Sequence, residues 1–219
     1  MRTTERPRID SMVPEHLEIA LFALGSFQDA EARLGFTRGV WRTCAGYAGG
    51  VFPSPSHNDA GDHIEAVRVE YDPQTASYGQ LLELFTCWYR TGPLDTTPGH
   101  GAVIFVRTAK ERRLAQAAVE RSSLCCGSSR PPVRVLPLRA FFPAENAWQK
   151  YYLHAVPWLY EELRDLYGDE EALLRSTLAA RLNGFLRQPS RSALHCLPES
   201  ADLYGLSASD RQALRDLAS

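Results

Sequence analysis

Residues 17–35, LEIALFALGSFQDAEARLG, pass from an unbroken apolar run into a helical period across one glycine, Gly25. The run is short and closed by glycine, as a buried strand is, and Phe27, Ala30 and Leu34 then fall on one side of a helix. A strand leading straight into an amphipathic helix is the repeating unit of an α/β sandwich. Ser26 stands where the helix takes its N-cap, and Asp29, three residues on, completes a capping-box pattern. Strand-to-helix corners are also places where nucleophiles are set. Ser26 therefore reads either as a cap or as a reactive group; no Ser-His-Asp pattern accompanies it, which favours the cap.

The alternation continues along the chain. Residues 39–50, GVWRTCAGYAGG, read as a strand entering a glycine-rich turn, and the prolines, serines and Asn/Asp of 51–62 read as loop. In HIEAVRVEYDP (63–73), Val67, Val69 and Tyr71 share one face, with Arg68 and Glu70 on the other. Glu65 has the parity of Val67 and Val69, which points it toward the packed side. A helix is predicted over 77–90, a strand over GAVIFVRT and a helix over AKERRLAQAAVERSSL. After the break CCGSSRPP, a single strand is predicted over VRVLPLRAFF, at an edge or a bulge because of Pro137. Helices follow over ENAWQKYYLHA, LYEELRDLYG, DEEALLRSTLAARLNGFL and SASDRQALRDLA, with an aperiodic linker over 187–200. The pattern divides into an N-terminal arm (1–16), an α/β domain (17–156) and a helical extension (157–219). The extension is expected to wrap the domain without building a second core.

Composition narrows the function classes. A formal charge of -2 gives no pull toward nucleic acid or an anionic membrane, and no apolar run is long enough to span a bilayer. The arginines of MRTTERPRIDSMVPEHLE are mixed with acids and prolines, unlike a secretory signal or a transit peptide. Five cysteines (Cys44, Cys87, Cys125, Cys126 and Cys196) without framework spacing suggest free thiols in a reducing compartment, the cytoplasm by default. Vicinal Cys125 and Cys126 are poorly placed for a relaxed disulfide.

Five segments, in order, carry a resemblance to a known family: ALGSF, GYAGG (46–50), HIEAVRVEYDP (63–73), SYGQLLELF (77–85) and FFPAENAWQKYYL (141–153). Together they resemble methionine sulfoxide reductase A, which reduces the S epimer of methionine sulfoxide. The resemblance covers about residues 18–155, and the helices beyond look like the extension of a subgroup whose motif reads Gly61-Asp62-His63 before the glutamate. It implies an α/β two-layer sandwich of ferredoxin-like character, with a cysteine immediately after the glycine at the helix start. There the helix amides stabilise a thiolate, which takes the sulfoxide oxygen as a sulfenic acid and is regenerated by thioredoxin or a dithiol. No cofactor and no metal is implied.

That position here is Ser26, whose oxygen cannot accept a second oxygen on the sulfenic-acid ladder. The resemblance further implies a Phe-Trp box for the substrate methyl, kept at Phe27 but changed at Gln28. Two tyrosines beside the sulfoxide oxygen become His57 and His100, the loop before His100 is short, and Asp95 is a weak match for the family's aspartate. Glu65 falls on the acid that shares a proton with the sulfoxide oxygen, and Tyr47, Gly46, Gly49 and Gly50 are retained. Three functions remain open. The chain is a silent or impaired relative that still binds methionine sulfoxide or an oxidised peptide. Alternatively it is an active reductase, with Ser26 an engineered replacement or Cys44 standing in. Or it is a repurposed enzyme in which Glu65, His57, His63 and His100 do acid-base or metal-assisted chemistry.

Overall fold

The computed structural model describes residues 6–92, 97, 99–125, 131–190, 192 and 204–218. Asp95, Cys126, Cys196 and most of the expected linker lie outside them. Strand β1 (Glu18–Leu24) ends at Gly25, whose φ of 69° suits a residue without Cβ, and the chain enters α2 (Phe27–Gly35). A short helix, α1 (Arg8–Ser11), precedes them. Then come β2 (Val40–Ala48), β3 (Ile64–Tyr71), α3 (Tyr78–Thr91), β4 (Ala102–Val106) and α4 (Ala109–Cys125). The chain continues through β5 (Arg134–Pro137), β6 (Phe141–Pro143), a 3-10 turn (Asn146–Trp148) and α5 (Tyr151–His154). Helices α6 (Pro157–Tyr167), α7 (Glu170–Leu174), α8 (Thr177–Arg187) and α9 (Ala208–Leu217) complete it. No described helix is long and apolar enough to cross a membrane.

The protein is mixed α/β around one six-stranded sheet of order β5-β4-β1-β3-β2-β6, antiparallel except for the β4–β5 pair. Strand alternation divides the side chains. Phe22, Tyr47, Val67, Val69 and Ile104 face helices α2, α3 and α4 in the main apolar cluster, while Leu21, Ala23, Ala48, Ala66 and Phe105 form a smaller cluster on the other face.

The stretch expected as one strand over VRVLPLRAFF is two. Pro137 ends β5 at one edge of the sheet, against Val106, and Phe141 opens β6 at the opposite edge, against Ala48. A flat six-stranded sheet would separate its edges by ~24 Å at ~4.8 Å per strand. The four steps from residue 137 to 141 reach no more than ~14 Å. The sheet must therefore curl, and Leu138 and Phe141 pack on its second face.

Two predicted helices are also broken. ENAWQKYYLHA divides at Gln149 and Lys150, the latter at φ 51°, because both residues turn inward for distant partners. Gln149 brackets Ala45, accepting from its N–H at 2.9 Å and donating to its carbonyl at 2.8 Å. DEEALLRSTLAARLNGFL divides at Arg175–Ser176, where Ser176 caps α8 by accepting from the Ala179 N–H at 2.9 Å.

The C-terminal helices do build an apolar cluster of their own, contrary to expectation. Leu153, Leu159, Leu163, Leu173, Leu178, Leu182, Phe185 and Leu214 are buried together, joined by Ile9 of α1. The sequence expectation missed it because each helix is amphipathic, and only their assembly shows whether the apolar faces meet the sheet or one another. Helix α8 joins the two clusters by crossing α2 at small residues. A Cβ at Gly35 would lie 2.7 Å from the Ala180 carbonyl oxygen, and one at Gly184 2.6 Å from that of Ala32. At the C-terminal end of α2, Arg181 donates to the carbonyls of Gly35, Val40 and Thr37, the last at 3.0 Å. Burial pulls the Arg181 guanidinium down to about 10.

Candidate active site

Ser26 is the N-cap of α2, and its Oγ accepts from the Gln28 N–H at 3.3 Å. Asp29 does not close the expected capping box; its carboxylate turns to Arg33, at 2.8 Å, and to Arg187 of α8. Burial alone would raise the Asp29 carboxyl, but hydrogen bonds from Arg187 and then Arg33 outweigh it and hold it below its ordinary value. The free amide at the tip, that of Phe27, donates instead to Glu65 Oε2 at 2.8 Å. Glu65 comes from β3 on the face of Val67 and Val69, as its parity indicated, and its own N–H donates to the Gly99 carbonyl at 3.1 Å. Its second oxygen lies 3.3 Å from His100 Nε2. Ser26, Glu65 and His100 thus converge, with a carboxylate occupying the positive end of the helix.

Beside them opens a cleft of about 460 Å³. Its polar lining includes Ser26, Asp29, Arg33, His100 and Arg134, and its apolar lining includes Leu24, Trp88, Ala102, Pro131 and Pro132. The Arg33 guanidinium lies 5.8 Å from the Trp88 ring centroid. Arg33, Trp88 and Arg134 were not foreseen. Nothing in the sequence marks them, since they come from α2, α3 and β5, and β5 is brought beside β1 by its pairing with β4.

Phe27, Tyr47 and His57 form a second group. The Phe27 ring is 1% exposed and packs edge-on to Tyr47 at 5.7 Å and near His57 at 6.2 Å, so it is core as much as wall. His57 stacks on Trp148 at 3.6 Å. Glu145 ties the group together, accepting from the Tyr47 hydroxyl at 3.3 Å and from the His57 N–H at 3.1 Å. Burial, reinforced by Glu145, pushes the Tyr47 hydroxyl far above its ordinary value, so it is a donor. Burial would raise Glu145 too, but hydrogen bonds from backbone amides and from Tyr47 keep it below the usual carboxylate range. Gln28 is half-buried in the first turn of α2 and does not line the cleft.

Two of the sequence alternatives lose their geometry. His63 is 2% exposed; its Nδ1 accepts from Gly50 N–H at 3.3 Å and its Nε2 lies 2.8 Å from the Phe52 carbonyl. Both ring nitrogens are in use, and His57 is engaged with Trp148. Glu65 meets His100 alone of the three histidines, and no cluster of three metal-ligating side chains occurs among the described residues. Cys44 has the parity of Ala48 and Gly46, opposite to Tyr47, so it lies on the sheet face away from α2 and Ser26. Burial also pushes its thiol up.

Beneath α2 lies a charged pair that the sequence reading missed. Glu31 and Lys150 are both fully buried and 2.5 Å apart. Glu31 also accepts from the Lys150 N–H at 2.8 Å and the Thr43 hydroxyl at 3.1 Å, while Lys150 Nζ donates to the Thr43 carbonyl at 3.0 Å. Glu31 falls on the buried side of an otherwise ordinary helical period, the one signal that could have exposed it.

The fold and site define a class: an α/β protein whose strand-to-helix corner, backed by a carboxylate, opens on a ligand-sized cleft. The peptide methionine sulfoxide reductase family matches residues 18–177, and the chain belongs to that family. Peptide methionine sulfoxide reductase A5 of Arabidopsis thaliana is 39% identical over 189 residues, covering 82% of this chain and 72% of its own. The peptide methionine sulfoxide reductase of Drosophila melanogaster is 30% identical over 197 residues, 88% of this chain and 77% of its own. Among solved structures, methionine sulfoxide reductase A of Corynebacterium diphtheriae superposes with a TM-score of 0.56 at 25% identity, covering 66% of this chain and 77% of that one.

Proposed function

We propose that this chain is a methionine sulfoxide reductase A scaffold that binds oxidised methionine without reducing it through a thiol at the helix start. The observation that carries the reading is the state of Ser26: its oxygen is the cap of α2, directly beside the cleft and the Glu65–His100 pair. Reduction by this family's chemistry moves the sulfoxide oxygen onto sulfur and returns it to water at the expense of two thiol electrons. A serine oxygen has no such state to enter. The Glu65–His100 pair lies beside Ser26, where the resemblance places the sulfoxide oxygen, which supports retained binding. The β1–α2–β2–β3–α3–β4 core, with strand order β4-β1-β3-β2, supports the ferredoxin-like description of the sandwich. Free thiols at Cys44 and Cys87 are in keeping with a cytoplasmic setting.

The test is conversion of a peptide methionine-(S)-sulfoxide by the chain and by Ser26→Cys, each with excess dithiothreitol. Turnover by Ser26→Cys alone is expected, and identifies the rest of the corner as a sulfoxide site. Thioredoxin then becomes the reductant to try with that variant. Turnover by the chain itself overturns the reading.

A further inference from the structure

The cleft beside Ser26 has an electrostatic bias that sulfoxide recognition does not require. Its described lining holds two arginines, Arg33 and Arg134, against a single carboxylate, Asp29. That carboxylate is already shared between Arg33 and Arg187, so it offsets little of the remaining charge. Glu65 does not restore the balance, because one of its oxygens is taken by the Phe27 amide and the other faces His100. Arg33 is set in place by Asp29 at 2.8 Å and by the Trp88 ring. Arg134 sits at the start of edge strand β5, and its Nη2 runs close to Gly101, 3.2 Å from where a Cβ there would lie. It has no ion pair among the described residues. Arg134, Pro131 and Pro132 are exposed at the mouth of the cleft, so the attraction of Arg134 for an anion is open to screening by salt.

Resting on the proposed sulfoxide-binding function, we infer that the cleft selects oxidised methionine accompanied by a carboxylate, which pairs with Arg134 while the sulfoxide lies toward Ser26 and His100. A guanidinium with its fork of donors unpaired is well suited to a carboxylate. The carboxylate has two sources, an acidic residue next to the oxidised methionine in a peptide, or the α-carboxylate of free methionine sulfoxide.

Calorimetric titration of the full chain decides the matter. The probes are three capped peptides of equal length, in which methionine-(S)-sulfoxide is followed by Asp, Ser or Lys, together with free methionine sulfoxide and its amide. The aspartate peptide is expected to bind about tenfold more tightly than the lysine peptide at low salt, with the ratio narrowing as salt is raised. Arg134→Gln is expected to reduce that ratio to about twofold, and Arg134→Lys, which keeps the charge without the fork, to an intermediate value. Free methionine sulfoxide binding more tightly than its amide assigns the carboxylate to the amino acid itself; preference confined to the aspartate peptide assigns it to a neighbouring residue. Equal binding of the three peptides, together with equal binding of free methionine sulfoxide and its amide, overturns the inference and leaves sulfoxide binding standing, as does a preference that Arg134→Gln does not change. Absence of binding by every sulfoxide probe overturns both readings together.

Discussion

The inner face of α2 and its N-terminal tip are five residues apart and are held in opposite ways. Inside, Glu31 is fully buried, and its two oxygens meet Lys150 Nζ, the Lys150 amide and the Thr43 hydroxyl. At the tip, Ser26 is half-buried and its side chain accepts a single hydrogen bond, at 3.3 Å, from the helix it caps. The inner contacts tie α2 to the segment carrying Glu145 and Trp148, so they set the shape of the corner. The tip contributes an atom to that corner and little to its support. Ser26→Cys is therefore expected to leave the scaffold undisturbed, which separates the chemistry of the site from the architecture beneath it.

The largest effect should come from the inner face. Lys150→Met leaves the Glu31 carboxylate buried without its counter-charge, and a loss of about 3–5 kcal/mol in urea unfolding is expected. Adding Glu31→Gln to that variant should recover part of the loss. A loss below about 1 kcal/mol would erase the contrast with the tip. Next comes the clamp behind α2: Gly184→Ala places a methyl 2.6 Å from the Ala32 carbonyl oxygen and 2.5 Å from Phe36 Cβ. Overpacking of about 1–3 kcal/mol is expected in the same unfolding measurement. Ser26→Ala removes only a cap and should cost about 1 kcal/mol, visible as a small fall in Tm.

The smallest effect is a slope with pH. Burial holds the His154 imidazole below its ordinary value of 6.5, and its Nε2 has no hydrogen-bond partner among the described residues. The unfolded chain takes up that proton first, so stability should fall as pH drops from about 6.5 toward the depressed folded value. Below that value this contribution levels off. His154→Gln should flatten the slope in urea midpoints measured across that window; an unchanged slope would remove His154 as its source.

Much of the scaffold was legible because its signals are local. The apolar run closed by Gly25 gave β1, the parity of HIEAVRVEY put Glu65 on the packed face, and Pro137 marked an edge strand. What stayed hidden depends on partners far along the chain. ENAWQKYYLHA keeps a helical period through the very residues where it breaks, since Gln149 answers to Ala45 and Lys150 to Glu31. His63 looked like a ligand because sequence cannot show that both its nitrogens are spoken for. Ser26, Glu65 and His100 lie together, yet the arginines beside them come from α2 and from β5, whose place next to β4 no local pattern announces. Tyr47 and His57 matched family positions, but Glu145, which organises them, was singled out by no pattern.

Asp10 gives the molecule an order of assembly. Its carboxylate accepts from the Thr177 N–H at 2.9 Å and from the Tyr167 hydroxyl, and its neighbour Ile9 is buried among helices that end near residue 218. On a ribosome this segment emerges before any of those partners has been translated. The strands of the sheet can pair long before, while residues 9 and 10 must stay solvated until the helices that hold them have left the ribosome. Asp10 thus waits for a partner made 167 residues later, and the cluster that buries Ile9 closes only after those helices exist.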